Sequence, residues 1–181
     1  MTKLFRLLAF SSILLLFSCG SDDEMLGGSA DLLVGSWSVV ASTCDDGVTT
    51  TTDSQGDALT STYTFEGKDF VSDVVYRADG TYTSTTAYTQ VITTTSLGQT
   101  FTQEVPVPET VVTGNWEIEG DKIFANVDSG PTEEAIILTL DENTFMTESV
   151  LETTTTQESF GEIFTITQKA TIIGTLSLIH I

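Results

Sequence analysis

Positive charge is scarce in this chain of 181 residues: six Lys and Arg stand against 26 Asp and Glu, a formal net charge of −20. A field of that sign repels phosphate backbones and anionic head groups, so nucleic-acid binding is excluded. Histidine is limited to His180, and cysteine to Cys19 and Cys44. There is no His/Cys cluster for a zinc-type site, and the one imidazole that could serve a Ser or Cys nucleophile lies in the last six residues, which read as a doubtful tail. The chain therefore reads as a non-enzyme without metal or cofactor. Carboxylates are plentiful, but Asp45-Asp46-Gly47 and Asp53-Ser54-Gln55-Gly56-Asp57 lack calcium-loop spacing and read as surface loop. Long apolar runs are missing too. The longest, residues 7–17, spans roughly 17 Å as a helix against a hydrocarbon core of about 30 Å, too short to cross a membrane.

That run follows Lys3 and Arg6 and precedes small residues, the layout of a secretory signal. Leu16-Phe17-Ser18-Cys19 resembles the lipobox of bacterial lipoproteins. The resemblance implies cleavage after residues 1–18 and acylation of Cys19, which becomes the mature N-terminus. At about 0.8 kcal/mol per buried methylene, more than one acyl chain holds a protein on a membrane without spanning it. Asp22-Asp23-Glu24 resembles the export tag of Bacteroidetes lipoproteins, which implies the cell envelope, the outer membrane and exposure at the cell surface. Cleavage leaves Lys68, Arg77, Lys122 and Lys169 against all 26 acids, a net charge near −22. It also leaves Cys44 as a lone thiol, so no disulfide framework is available and the core must come from apolar burial. Residues 19–31 read as the lipidated Cys and a flexible acidic linker.

From residue 32 onward Thr is the commonest residue, and Val, Ile, Tyr and Phe alternate with Thr, Ser and Glu. Period-two alternation of this kind marks half-buried strands. Punctuation by Gly, Asp and Pro divides residues 32–175 into strands near 33–43, 59–66, 70–77, 81–95, 101–105, 109–119, 122–127, 134–140, 144–156 and 162–173. A loop is expected over 47–58, and Pro106 and Pro108 are expected to interrupt pairing. Tyr82, Ser84, Thr86, Tyr88, Gln90 and Ile92 fall on one face of their strand. Eight to ten strands joined in sequence order by short turns predict an all-β fold, an up-and-down antiparallel β-barrel. Residues 176–181 look like translated adaptor sequence and are set aside as a doubtful tail.

Three short motifs point to a family. Leu33-Val34-Gly35-Ser36-Trp37 resembles the Leu-x-Gly-x-Trp opening of lipocalin-like domains, with Gly35 allowing close passage and Trp37 plugging one end. Arg77-Ala78-Asp79-Gly80-Thr81-Tyr82 resembles that family's Asp-Gly-Thr hairpin. Gly114-Asn115-Trp116-Glu117-Ile118, followed by Gly120-Asp121-Lys122-Ile123, is similar to a strand and turn of the lipocalin-like lipoproteins of Bacteroidetes. The Thr-Asp-Tyr motif and the late Arg of classical lipocalins are absent, and Lys169 is expected to cover Trp37 in place of that Arg. The resemblance implies a lipid-anchored barrel but not the identity of a ligand; Trp37, Tyr82, Tyr88, Trp116 and Phe145 are themselves candidates to line the barrel interior, where a small hydrophobic or amphipathic ligand would find a concave, largely dry pocket. The alternative is an interaction or adhesion module in which these aromatics fill the barrel and loops near 45–58 and 96–109 meet a protein or glycan. An interior above about 300 Å³ favours the carrier.

Overall fold

The computed structural model describes residues 29–179 apart from 129 and 160; the expected signal segment, Cys19 and His180 lie outside the described residues. A five-residue helix, α1 (Ser29–Leu33), precedes eight strands: β1 (Gly35–Thr52), β2 (Ala58–Tyr76), β3 (Thr81–Ser96), β4 (Gln99–Glu119), β5 (Lys122–Val127), β6 (Thr132–Leu140), β7 (Thr144–Ser159) and β8 (Glu162–Leu178). Each strand pairs antiparallel with its sequence neighbour, and β8 returns to β1, closing an up-and-down barrel.

The strands are longer and fewer than the punctuation suggests. Residues expected to be loop, 47–52, continue β1, where Thr49, Thr50 and Thr51 pair with β2 and β8. Gly67-Lys68 does not end a strand. There β2 takes an irregularity between Lys68 and Val71, with Asp69 at φ 55°, and carries on. An extra residue of this kind shifts the phase of alternation, so the inward set of β2 changes from Ser61, Tyr63 and Phe65 to Phe70, Val74 and Tyr76. Beyond Pro106 and Pro108 β4 also continues, with its own register shift opposite Thr86 and Tyr88. β1 is bulged between Trp37 and Thr43 and again between Cys44 and Gly47. Only Leu97-Gly98 separates β3 from β4. Residues 176–178 form the end of β8, with Leu176 opposite Phe145 and Leu178 opposite Trp37.

Strand lengths divide the barrel into two levels. β5 and β6 have only six and nine residues, whereas β1, β2, β3, β4, β7 and β8 have 16 to 21. The ring is complete only at the lower level, where β4 pairs with β5 through residues 114–119 and β6 meets β7 through residues 145–148. Above it, among the described residues, 99–112 of β4 and 149–159 of β7 have a strand neighbour on one side only. The upper level is thus a six-stranded trough with an open slot over β5 and β6. Its edges carry the residues that discourage strand addition: Pro106 and Pro108, which lack an N–H, with Glu104 and Glu109 on β4, and Glu152 and Glu158 on β7.

The lower level is packed. Trp37, Phe145 and Leu33 are fully buried, with Val74, Tyr82, Trp116 and Ile123 completing the core. The Trp37 indole N–H donates to the Leu33 carbonyl at 2.8 Å, fastening α1 across the end of the barrel. Trp37 meets Phe145 edge-on at 6.1 Å, and Tyr76 contacts Tyr82, Trp116 and Phe145 at 5.7 to 6.1 Å. Two of the sequence motifs meet here. In the Asp79-Gly80 hairpin the Asp79 carboxylate accepts from the Thr81 N–H and hydroxyl, and the Trp116 indole N–H lies 3.2 Å from the Arg77 and Thr81 carbonyls. Lys169 does not cover Trp37. It pairs with Val48, far along β1, and its ammonium lies 2.8 Å from Glu152, whereas Trp37 stands opposite Leu178, nine residues further along β8.

The outer face is largely threonine, and facing hydroxyls link neighbouring strands at Thr50–Thr60, Thr93–Thr102, Thr95–Thr100 and Thr154–Thr167. Cross-strand pairs of this type add a few tenths of a kcal/mol each, up to about 1.

Candidate functional site

Above the aromatic plug, the inner face of the trough encloses a cavity of about 600 Å³. Its walls come from the inward positions of six strands. Tyr63 and Phe65 of β2 face Tyr88, Gln90, Ile92 and Thr94 of β3, with Gln103, Leu151, Gln168 and Ile172 from β4, β7 and β8. Strand alternation and bulges place them: Phe65 is opposite both Cys44 and Ile92, Ile92 is opposite Gln103, and directly opposed residues share a face. Because the slot removes one wall, apolar residues of the inner face meet solvent there. Phe101 is 61% exposed and Leu151 37%.

Two aromatic walls are held from behind. Tyr88 stacks on Phe70 with ring centroids 5.2 Å apart and an interplanar angle of 20°. Tyr63 lies across Gly47, where an added Cβ would come within 2.5 Å of the ring, so the absence of a side chain at 47 gives the phenol its seat. Desolvation by burial, helped by Cys44 and Asp46, pushes the Tyr63 phenol above its ordinary pKa. Asp46, in the bulge of β1, accepts from the Thr171 N–H at 2.7 Å and hydroxyl at 2.6 Å. These bonds hold its carboxyl below the usual range and tie β1 to β8 beside the cavity.

Of the five aromatics expected to line a ligand site, the structure brings only Tyr88 to this cavity. Trp37 and Trp116 belong to the plug, with both indole N–H groups already bonded to carbonyls. Tyr82 and Phe145 line two smaller cavities of about 270 and 210 Å³ beside Tyr76, where Glu133 of β6 faces inward. Burial pushes the Tyr76 phenol well above its ordinary pKa, and the charges of Tyr82 and Glu133 add to the shift. Sequence reading missed Tyr63, Phe65, Gln103, Leu151, Gln168 and Ile172. The Tyr63-x-Phe65 pair carried the signal for two of them.

Neither acidic loop gathers ligands into a cage. Asp53 accepts from the N–H groups of Gln55 and Asp57, both at 2.9 Å, closing its own turn, and among the described residues no group of three or more His, Cys, Asp and Glu is placed to hold a metal ion. Cys44 is buried, its Sγ 3.8 Å from Asp46 Oδ1, and desolvation raises its pKa. With Cys44 as a buried thiol rather than a reactive thiolate, protein whose Cys19 is acylated or replaced is expected to show no reaction with Ellman's reagent while folded and one equivalent in urea. Rapid labelling of folded protein would contradict this.

The fold and site define a class: an eight-stranded up-and-down β-barrel, plugged at one end by aromatics and opening above the plug into a neutral-lined trough. No family model, curated protein or solved structure compared with the chain matches it.

Proposed function

We propose that this protein is a non-enzymatic carrier of the lipocalin-like type, binding a small hydrophobic or amphipathic molecule in the trough and tethered to a bacterial outer membrane, at the cell surface, through lipid on Cys19. The observation that carries the reading is the cavity of about 600 Å³, within the range of about 300–1,000 Å³ usual for ligand sites. Its apolar walls, Phe65, Ile92, Ile172 and Leu151, stand beside hydroxyl and amide groups that can orient a guest. The alternative, an adhesion module with a filled barrel and long binding loops, draws less support. Aromatics fill only the lower level, and the segments 45–52 and 99–109 are strand.

Native mass spectrometry of protein purified from its host membranes tests the reading. The expected spectrum has a retained small molecule that is lost in Ile92→Trp, which sets a bulky ring into the trough between Phe65 and Gln103, and an N-terminal peptide bearing acyl chains on Cys19. A ligand-free mass for both proteins would remove the carrier reading, and an unmodified Cys19 would remove the tether.

A further inference from the structure

Resting on the carrier reading, we infer that the guest of the 600 Å³ cavity is an uncharged amphiphile: an apolar chain or ring system joined to a hydroxyl- or amide-bearing head, with neither a carboxylate or phosphate nor an ammonium group.

The chain carries 26 acidic and six basic residues, yet none of the residues lining this cavity is Asp, Glu, Lys, Arg or His. Its polar atoms are all neutral: the amides of Gln90, Gln103 and Gln168, the hydroxyls of Ser and Thr, and the phenols of Tyr63 and Tyr88. Such groups can replace the hydration of a hydroxyl or an amide. They cannot replace that of a full charge, whose transfer into a low-dielectric site without a partner costs far more.

An anionic head meets a second obstacle, since every cation among the described residues is engaged elsewhere. Lys68 pairs with Glu104 at 2.7 Å, Lys122 with Glu134 at 2.5 Å and Lys169 with Glu152 at 2.8 Å, while the Arg77 guanidinium donates to the Thr83 hydroxyl at 3.1 Å. Lys68 and Lys169 sit opposite Thr89 and Val48, on the outer side of strands whose next residues, Tyr88 and Gln168, line the cavity. The net charge of −20 adds long-range repulsion. A cationic head is attracted from a distance but finds no carboxylate inside. The inward-facing acids belong to other recesses: Glu133 lines the two small cavities beside Tyr76 in the lower level, and Asp53 and Asp57 line one of about 310 Å³ at the tip of the β1–β2 hairpin, where Asp53 is occupied by its own turn.

Four probes sharing a dodecyl chain test this by isothermal titration calorimetry with the mature protein in about 150 mM salt, where surface attraction is largely screened beyond about 8 Å: dodecyl maltoside, monododecanoyl glycerol, dodecanoate and dodecyltrimethylammonium, each below its micellar concentration. The two neutral probes are expected to bind at least about tenfold more tightly than either charged one, a difference of about 1.4 kcal/mol, and to lose that binding in Ile92→Trp. In Ile92→Arg, folded by circular dichroism, the order is expected to invert in favour of dodecanoate. A charged probe binding the unaltered cavity as tightly as the neutral ones overturns the inference and leaves the carrier reading standing. Failure of all four to bind in a manner sensitive to Ile92→Trp overturns the carrier reading itself, and the inference with it.

Discussion

Replacing Trp37 by Ala is expected to lower the stability of the barrel by about 3–5 kcal/mol, the usual cost of deleting a fully buried large aromatic. At roughly 2–4 °C per kcal/mol for a domain of this size, the melting temperature should fall by about 6–20 °C. The effect is large because one side chain does three things. Its ring fills the end of the barrel against Phe145, its N–H satisfies the Leu33 carbonyl at 2.8 Å, and through that bond it holds α1 across the opening. Trp37→Phe keeps much of the ring but gives up the bond and part of the buried volume, so it should cost about 2–3 kcal/mol. Thermal unfolding by circular dichroism measures both. Equal losses in the two variants would mean that the indole N–H, not the ring, dominates, and a loss under about 1 kcal/mol in Trp37→Ala would contradict the plug.

Gly114→Ala is expected to be nearly as damaging, about 3 kcal/mol, although it adds one methyl group. A Cβ at 114 would lie 2.1 Å from the Asn126 carbonyl oxygen and 3.0 Å from the Tyr82 ring. The main obstacle is backbone, so no rotamer change relieves it, and β4 and β5 must part where the ring of strands closes. Gly47 is the contrasting case, since its obstacle is the ring of Tyr63, a side chain able to turn. Urea denaturation followed by Trp fluorescence reads the change, and a midpoint within experimental error of the parent protein would show that β4 and β5 can separate there at little cost.

Period-two alternation made the all-β class legible, and short turns such as Asp79-Gly80 made the up-and-down order legible. The plug was half legible, because Trp37 and Trp116 sit in motifs whose Gly neighbours signal close packing. The division of strands was not. At Gly67-Lys68 and at Pro108 the chain inserts a residue, alternation changes phase, and a rule that expects strict alternation ends a strand where the structure only bends it. The trough was illegible for a second reason. It depends on β5 and β6 stopping at six and nine residues while their neighbours run on, a difference in height across the sheet that is invisible in any single strand. So Tyr82 and Tyr88, six residues apart on one inward-facing row, end in different compartments: one in the plug, the other in the wall of the cavity.

The two levels also give the molecule a direction. α1 lies at the plugged end, and the Ile179 N–H bonds back to the Ser36 carbonyl at 2.8 Å, so both ends of the described chain leave from the same pole. The hairpin tips at 53–57 and 97–98 form the opposite pole, and along 18-residue strands at about 3.3 Å per residue they stand up to roughly 60 Å away. A segment leading into residue 29 therefore joins the barrel at its sealed foot, at the pole opposite the hairpin tips that rim the trough.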